Sequence, residues 1–348
     1  MRTRRCSIAL ARATTLRGLI GAIGVLALLP TLIFAQPVTL KFASFEPAQA
    51  PFTAQVFTAW AKDVAAASNG TLKIDMFAGG TLGRNPLQQF KLVQDGVADM
   101  AWATASYTPG RFDDTEVGEL PFMVRSATEG ALAITRLAAR NELVGFADLK
   151  LLLIATLHPI GVHMKAPVKS LVDLRGKRIR VAGSMGSKVA EALGAVPVVI
   201  GAPQTAEAIA KGVVDGTFAE WNFVTTFRVN EVLSNHLSSP LGSSVVMIPM
   251  LKSRYEALPP AARSAIDRYS GEAFAKRFGE MADSLTMAAG ERVAQQPKST
   301  ITRADPATLD AFHMVLDPVT VAWRAQKPRN ELVYKAMTTE LERIRAGR

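Results

Sequence analysis

Cysteine is nearly absent from this sequence: 348 residues contain one, Cys6, inside a basic and apolar leader. A chain with no cysteine beyond that leader forms no disulfide and no thiolate metal site, which suits an oxidising compartment where a stray thiol is a liability. Histidine is scarce too, at four residues: His158, His163, His236 and His313. No HExxH, no GxSxG, no paired metal-ligand spacing and no dinucleotide fingerprint outside the leader occurs. The sequence therefore gives no reason to expect a metal or a cofactor, and binding is a better default than catalysis. Aromatic residues make up 7% of the chain, so the places where they gather carry weight. There is no low-complexity tract and no solenoid repeat.

What is there begins with an export signal. Arg2, Arg4, Arg5, Arg12 and Arg17 precede an apolar run from Gly18 to Phe34, and Ala35 offers a cleavage point before Gln36-Pro37. An uncleaved anchor is the competing reading. Cys6 lies ahead of the apolar run, so it is no lipoprotein cysteine. The leader holds five arginines and no acid, so without it 35 basic side chains face 30 acidic ones and the formal charge falls from +10 to +5. That removes the main support for a nucleic-acid partner, and none is expected. The roughly 310 residues left exceed one ordinary core, so two domains are expected.

Along the chain, apolar alternation predicts a strand over Val38 to Phe45, and Phe52, Val56, Trp60 and Val64 share one face of a helix. Strands follow at Leu72 to Phe77 and after Asp99. Gly96-Val97-Ala98-Asp99 and Gly212-Val213-Val214-Asp215 each close a helix and open a strand, the same device in both halves. Leu151 to Leu157 is a fully apolar strand broken at His158-Pro159. After Pro259-Pro260, Ile266, Phe274, Phe278, Met281 and Leu285 form the spine of a helix to about Val293, unless Gly271 or Gly279 breaks it in two. Two helical stretches, Leu309–Ala322 and Glu331–Ile344, finish the chain. His313 reads as a packing residue beside Phe312, and His236 as a solvated turn residue.

The most informative stretch, Leu171 to Trp221, reads as a β-α-β-α-β run. Arg180 falls near the C-terminal end of a short strand, where open α/β sheets keep their ligand crevice. Gly183 to Ser187 reads as a turn, with Ser184 a candidate beside Arg180, and the helix that Ser187 can cap offers free N–H groups, so a guanidinium and a helix N-terminus could hold an anion together. One more surface charge in a basic turn is the equal alternative for Arg180. Other candidates also sit just after strand ends: Phe45 and Glu46, Trp102 and Tyr107, His158, and Glu220 with Trp221. Trp102 and Trp221 serve equally well as core. Glu46, beside an anionic ligand, would have to be protonated.

Residues 173–181, 191–198 and 208–216, DLRGKRIRV…EALGAVPV…AIAKGVVDG, resemble the signature of the TRAP-transporter solute-binding proteins, the dicarboxylate-binding (DctP-like) family. GGTLG, GVADMAW and YTPGRF…ELPFM recur ahead of it in family order. The resemblance implies an α/β, two-lobed periplasmic binding protein (type II-like) with a long helix bracing both lobes. It implies no enzyme, but a receptor that closes on a small organic acid and passes it to membrane permease subunits. Lobe one would comprise 36–157 plus about 246–285, and lobe two 158–245 plus about 286–348. The arginine matching Arg180 would pair with the ligand carboxylate. Glu220 would join a metal site in the 2-oxo-acid branch, but the spacing from Asp215 to Trp221 matches a branch without metal. Many members carry a second arginine where His158 and Pro159 stand, and an asparagine where Ala219 stands. One arginine with aromatic walls suits an aromatic or bulky apolar monocarboxylate; the alternatives are a C4-dicarboxylate or 2-oxo-acid receptor and a two-lobed enzyme.

Overall fold

The opening strand shows how the pattern becomes structure: Leu40 and Phe42 are fully buried while Thr39 and Lys41 face solvent. A computed structural model describes residues 36–347, so the export signal lies outside the described residues. In chain order the strands are β1 (Val38–Ala43), β2 (Leu72–Phe77), β3 (Met100–Ala101), β4 (Ala103–Thr104) and β5 (Leu149–Thr156). There follow β6 (Gly161–Met164), β7 (Arg178–Val181), β8 (Val196–Val199), β9 (Gly216–Ala219), β10 (Asn235–Ser238), β11 (Val245–Leu251) and β12 (Thr300–Arg303).

They form two sheets. The first has the order β2-β1-β3-β11-β4, with β5 also paired to β11; the second has the order β12-β10-β6-β9-β7-β8. In the first, β1 runs parallel to β2 and β3, while β11 returns antiparallel to β3, β4 and β5. In the second, β7 lies parallel between β8 and β9, Ile179 opposite both Pro197 and Gly216. Parallel neighbours need a crossover, and helices supply it on both sheets. The chain passes from the first sheet to the second through residues 157–160, and returns through 239–244. This is a two-lobed α/β architecture. Among the described residues no helix is long and apolar enough to cross a membrane.

The expected long helix is two helices. Pro260–Arg268 ends, and Glu272–Ala294 begins after Gly271, whose φ of +66° is a conformation that disfavours residues with a side chain. Gly271 also donates its N–H to Leu152 O of β5 at 3.1 Å, so the break is tied to the first sheet. Gly279 does not interrupt the second helix. It lets the start of helix Ala127–Ala139 come close, since a Cβ there would lie 2.5 Å from Thr128 Cα. At 23 residues, the second helix is about 35 Å long. Its first half buries Phe274 against Trp60 and Phe278 against Trp102, in the first lobe. Its second half packs Gly290 beneath the Trp221 indole and buries Val293 in the core of the second. The helix therefore braces both lobes.

Helix Pro328–Arg345, expected with lobe two, lies instead on helix Ala127–Ala139 beside the first sheet. Glu340, almost fully buried, accepts from Arg136 and Arg140 at 2.9 Å each, and Arg345 pairs with Glu129 at 2.7 Å. His236 is not a turn residue either. It sits in β10, 1% exposed, opposite His163 of β6, with their Nδ1 atoms 2.8 Å apart. His163 Nε2 faces Ala219 O at 3.1 Å, which makes it the donor there. His163 Nδ1 is then the acceptor and His236 Nδ1 the donor. Burial pushes both rings down, His163 to about 3 and His236 to about 4, so both are neutral.

Asp283, on the bracing helix, closes the N-terminus of helix Ala127–Ala139 by accepting from Ala127 N at 2.7 Å, Thr128 N at 3.0 Å and Thr128 Oγ1 at 2.7 Å. It also pairs with His158 at 2.8 Å. Burial alone would raise its carboxyl, but the His158 and Thr128 contacts outweigh it and hold the group below the usual aspartate range. A depressed carboxylate stabilises the fold above its unfolded value and loses that contribution as pH falls through its folded one. Asp283→Ala should therefore cost about 1–3 kcal/mol at pH 7, and urea unfolding should show the gap to wild type shrinking towards pH 3.

Candidate ligand-binding site

Arg180 is the penultimate residue of the short strand β7, with its side chain buried, 3% exposed. Nε donates to Ile200 O at 2.8 Å and Nη2 donates to the Tyr107 hydroxyl at 3.0 Å. The guanidinium carbon stands 4.7 Å from the centre of the Phe223 ring. Among the described residues no carboxylate comes within ion-pair distance, 4.0 Å, of this cation. Burial disfavours its charge and pulls it below the usual arginine range, with Tyr107 offsetting part of the shift. A buried guanidinium whose protein partners are all uncharged is a site prepared for an anion. Tyr107 comes from the loop after β4 and Arg180 from β7, so the two sheets each send a side chain to this point.

Both line one cavity of about 60 Å³, together with Phe45, Glu46 and Trp102 from the first lobe and Phe223 from the second. Phe45 and Phe227 stack across it with ring centres 6.3 Å apart at 17°. Trp102 is a core residue that also lines this cavity. Its ring packs on Phe57 and Phe278 in the core, while its indole N–H reaches Glu46 Oε1 at 3.2 Å. Burial pushes the Glu46 carboxyl up to about 8; the Trp102 hydrogen bond pulls it back in part, and nearby Glu220 adds to the rise. Glu46 is thus neutral at pH 7.

Three expected site residues lie elsewhere. Trp221 begins helix Trp221–Thr226 rather than extending β9. At about 100° per residue, Asn222, Phe223, Thr226 and Phe227 share one helix face, towards the cavity, and Trp221 takes the other. Its indole rests on His163 and His236, ring centres 4.7 and 5.0 Å away. His158 is held away by Asp283. Ser184 starts helix Ser184–Ala192, but its hydroxyl donates to Glu116 of the first lobe outside the cavity, so the helix N-terminus does not join Arg180 in the site. Glu220 borders the cavity yet spends both oxygens on structure. It accepts from Asn222 N at 2.5 Å, Phe223 N at 2.6 Å and the Thr286 hydroxyl at 3.0 Å. Burial raises it to about 6 against those hydrogen bonds.

Asn222, Phe223, Thr226 and Phe227 were not singled out from the sequence, where candidates were placed directly after strand ends and no helix was read from Trp221 onward. The i, i+1, i+4, i+5 spacing behind a capping glutamate is the signal that marks this face.

Two sheet-built lobes meeting over a buried, anion-ready cavity define a solute-binding protein of the two-lobed α/β class. The chain belongs to family 7 of the bacterial extracellular solute-binding proteins, DctP, whose family model matches residues 42–326. It is 27% identical over 310 residues to the outer membrane transporter protein TsaT of Comamonas testosteroni, covering 86% of this chain and 89% of that protein. Among solved structures it resembles a marine-metagenome TRAP solute-binding protein specific for aromatic acid ligands, in complex with 3-hydroxybenzoate. That match has 30% identity and a TM-score of 0.84 over 89% of this chain and 99% of the other. A TRAP solute-binding protein from Rhodoferax ferrireducens with copurified benzoate gives 27% identity and a TM-score of 0.83, over 88% and 98%.

The raised Glu46 carboxyl makes the free protein pH-sensitive. Between its unfolded value near 4.5 and its folded value near 8, the unfolded chain has released a proton that the folded one keeps. Stability contributed by this group falls across that window as pH rises. Glu46→Gln removes the titration. Its stability relative to wild type should rise by about 3–4 kcal/mol from pH 5 to pH 8, measured by denaturant unfolding; a constant difference would contradict the neutral carboxyl.

Proposed function

We propose that this protein is the extracytoplasmic receptor of a TRAP transporter for an aromatic or bulky apolar monocarboxylate, which it delivers to the membrane permease. The observation that carries this reading is Arg180: buried, oriented by Ile200 O and Tyr107, and without a carboxylate partner among the described residues. A ligand carboxylate supplies the missing charge, and the planar fork of the guanidinium favours a bidentate pair. The aromatic side chains Phe45, Trp102, Phe223 and Phe227 then receive an apolar body. Among the described residues Arg180 is the one basic residue lining the cavity, so a second ligand carboxylate would be desolvated without a matched charge. The aromatic acids bound by the two structural relatives support the same ligand class.

Export to the periplasm, with cleavage near Ala35, accords with the family and with the cysteine-free mature chain. The two lobes hinge at 157–160 and 239–244, and a ligand touching Tyr107 and Arg180 together selects the closed form. The activity is binding and release, in keeping with the solute-binding family to which the chain belongs.

Calorimetry with the purified mature protein tests the assignment. Benzoate or a substituted benzoate should bind, while succinate and malate should not. Arg180→Ala should lose about 2–5 kcal/mol of affinity, and Arg180→Lys should not restore it. Binding of C4-dicarboxylates with no response to any aromatic acid would favour the alternative receptor. A saturating aromatic acid should also reduce the radius of gyration in small-angle scattering.

A further inference from the structure

Three buried oxygens in the same cavity lack any hydrogen-bond partner: Glu46 Oε2, Asn222 Oδ1 and Thr226 Oγ1. Buried polar atoms in folded proteins are nearly always paired, so three orphans lining one cavity point to a ligand group that pairs them. None of the three is hydrogen-bonded to Arg180, whose partners are Ile200 O and the Tyr107 hydroxyl. Asn222 and Thr226 stand one turn apart on a single helix face, and Glu46 comes from the other lobe. The Trp102 indole N–H holds Glu46 Oε1, which leaves Oε2 as the free end of that carboxyl.

We propose that Glu46, Asn222 and Thr226 form a second polar pole that accepts a hydroxyl group carried by the ligand, so that the preferred ligand is a hydroxylated aromatic monocarboxylate. This rests on the reading of Arg180 as the carboxylate anchor. The chemistry of the three groups selects a hydrogen-bond donor rather than a second anion. The Asn222 amide oxygen only accepts, the Thr226 hydroxyl accepts as well as donates, and Glu220 close by adds negative potential when ionised. A neutral Glu46 carboxyl, whose Oε1 accepts from the Trp102 indole, carries its proton on Oε2 and donates it to the ligand hydroxyl oxygen, while Asn222 Oδ1 accepts the hydroxyl proton. With no cation at this pole, a carboxylate there would face the Asn222 Oδ1 lone pairs without a matched charge.

The test compares benzoate, 3-hydroxybenzoate, 4-hydroxybenzoate and mandelate with the methyl ether of each hydroxy acid, by calorimetry on the mature wild-type protein, Glu46→Gln, Asn222→Ala and Thr226→Val. The readout is the ratio of affinities, hydroxy acid over unsubstituted or methylated acid, which is insensitive to a general loss of binding in a variant. At least one hydroxy acid should bind wild type about tenfold or more tighter than benzoate, and its methyl ether should lose that gain. Thr226→Val, a near-isosteric change, should bring the ratio towards one, and so should Asn222→Ala. If benzoate and every hydroxy acid bind wild type equally, or if the ratio survives in all three variants, the polar pole is wrong while the carboxylate anchor stands. If no aromatic acid binds at all, both fall together.

Discussion

The arrangement turns on a guanidinium taken out of water and given neutral partners. Burying an arginine is unfavourable unless its donors are met and its charge is answered. Ile200 O and the Tyr107 hydroxyl meet donors and the Phe223 ring faces the cation, but none of them carries a full negative charge. The protein thus carries the desolvation cost of a cation with no charged partner among the described residues. Because Tyr107 and Arg180 come from different sheets, their hydrogen bond ties the two sheets together beside the cavity.

That geometry depends on a frame with little freedom. The helix Glu272–Ala294 is packed on Trp60 and Trp102 at one end and on Trp221 at the other. In between, Asp283 closes the start of helix Ala127–Ala139, and Thr286 bonds Glu220, the cap of the helix that carries Asn222, Phe223 and Thr226. One helix therefore anchors a first-lobe helix and the ligand-facing second-lobe helix at neighbouring turns. The His163–His236 pair, neutral and buried, does a related job under Trp221, filling the sheet face behind the cavity with groups that hydrogen-bond each other. What looked from the sequence like scattered histidines is a packing device.

Two carboxyls in the site show how environment divides one chemistry into two roles. Glu220 is surrounded by donors, two backbone N–H groups and a hydroxyl, so its rise on burial is limited to about 6 and it serves as a helix cap. Glu46 has one donor, the Trp102 indole, and burial carries it to about 8. A neutral Glu46 brings no negative charge to the cavity that Arg180 also lines.

The sequence by itself determined the α/β class, the strand that carries Arg180, and the candidacy of Tyr107, Phe45, Glu46 and Trp102. Alternation, helix caps and strand-end positions are local, and a short parallel strand brings its last residues to the crevice whatever the rest of the chain does. Tertiary structure decided what local pattern could not reach. Trp221 turned away because it begins a helix, and the helical period brought Asn222, Phe223, Thr226 and Phe227 to the cavity. His158 and Ser184 were claimed by Asp283 and Glu116, partners 125 and 68 residues distant. The long helix broke at Gly271 because a positive φ met a bond to β5. A side chain's direction follows from its own backbone, but its partner is set by which distant segments the fold brings against it, and no spacing in the sequence records that.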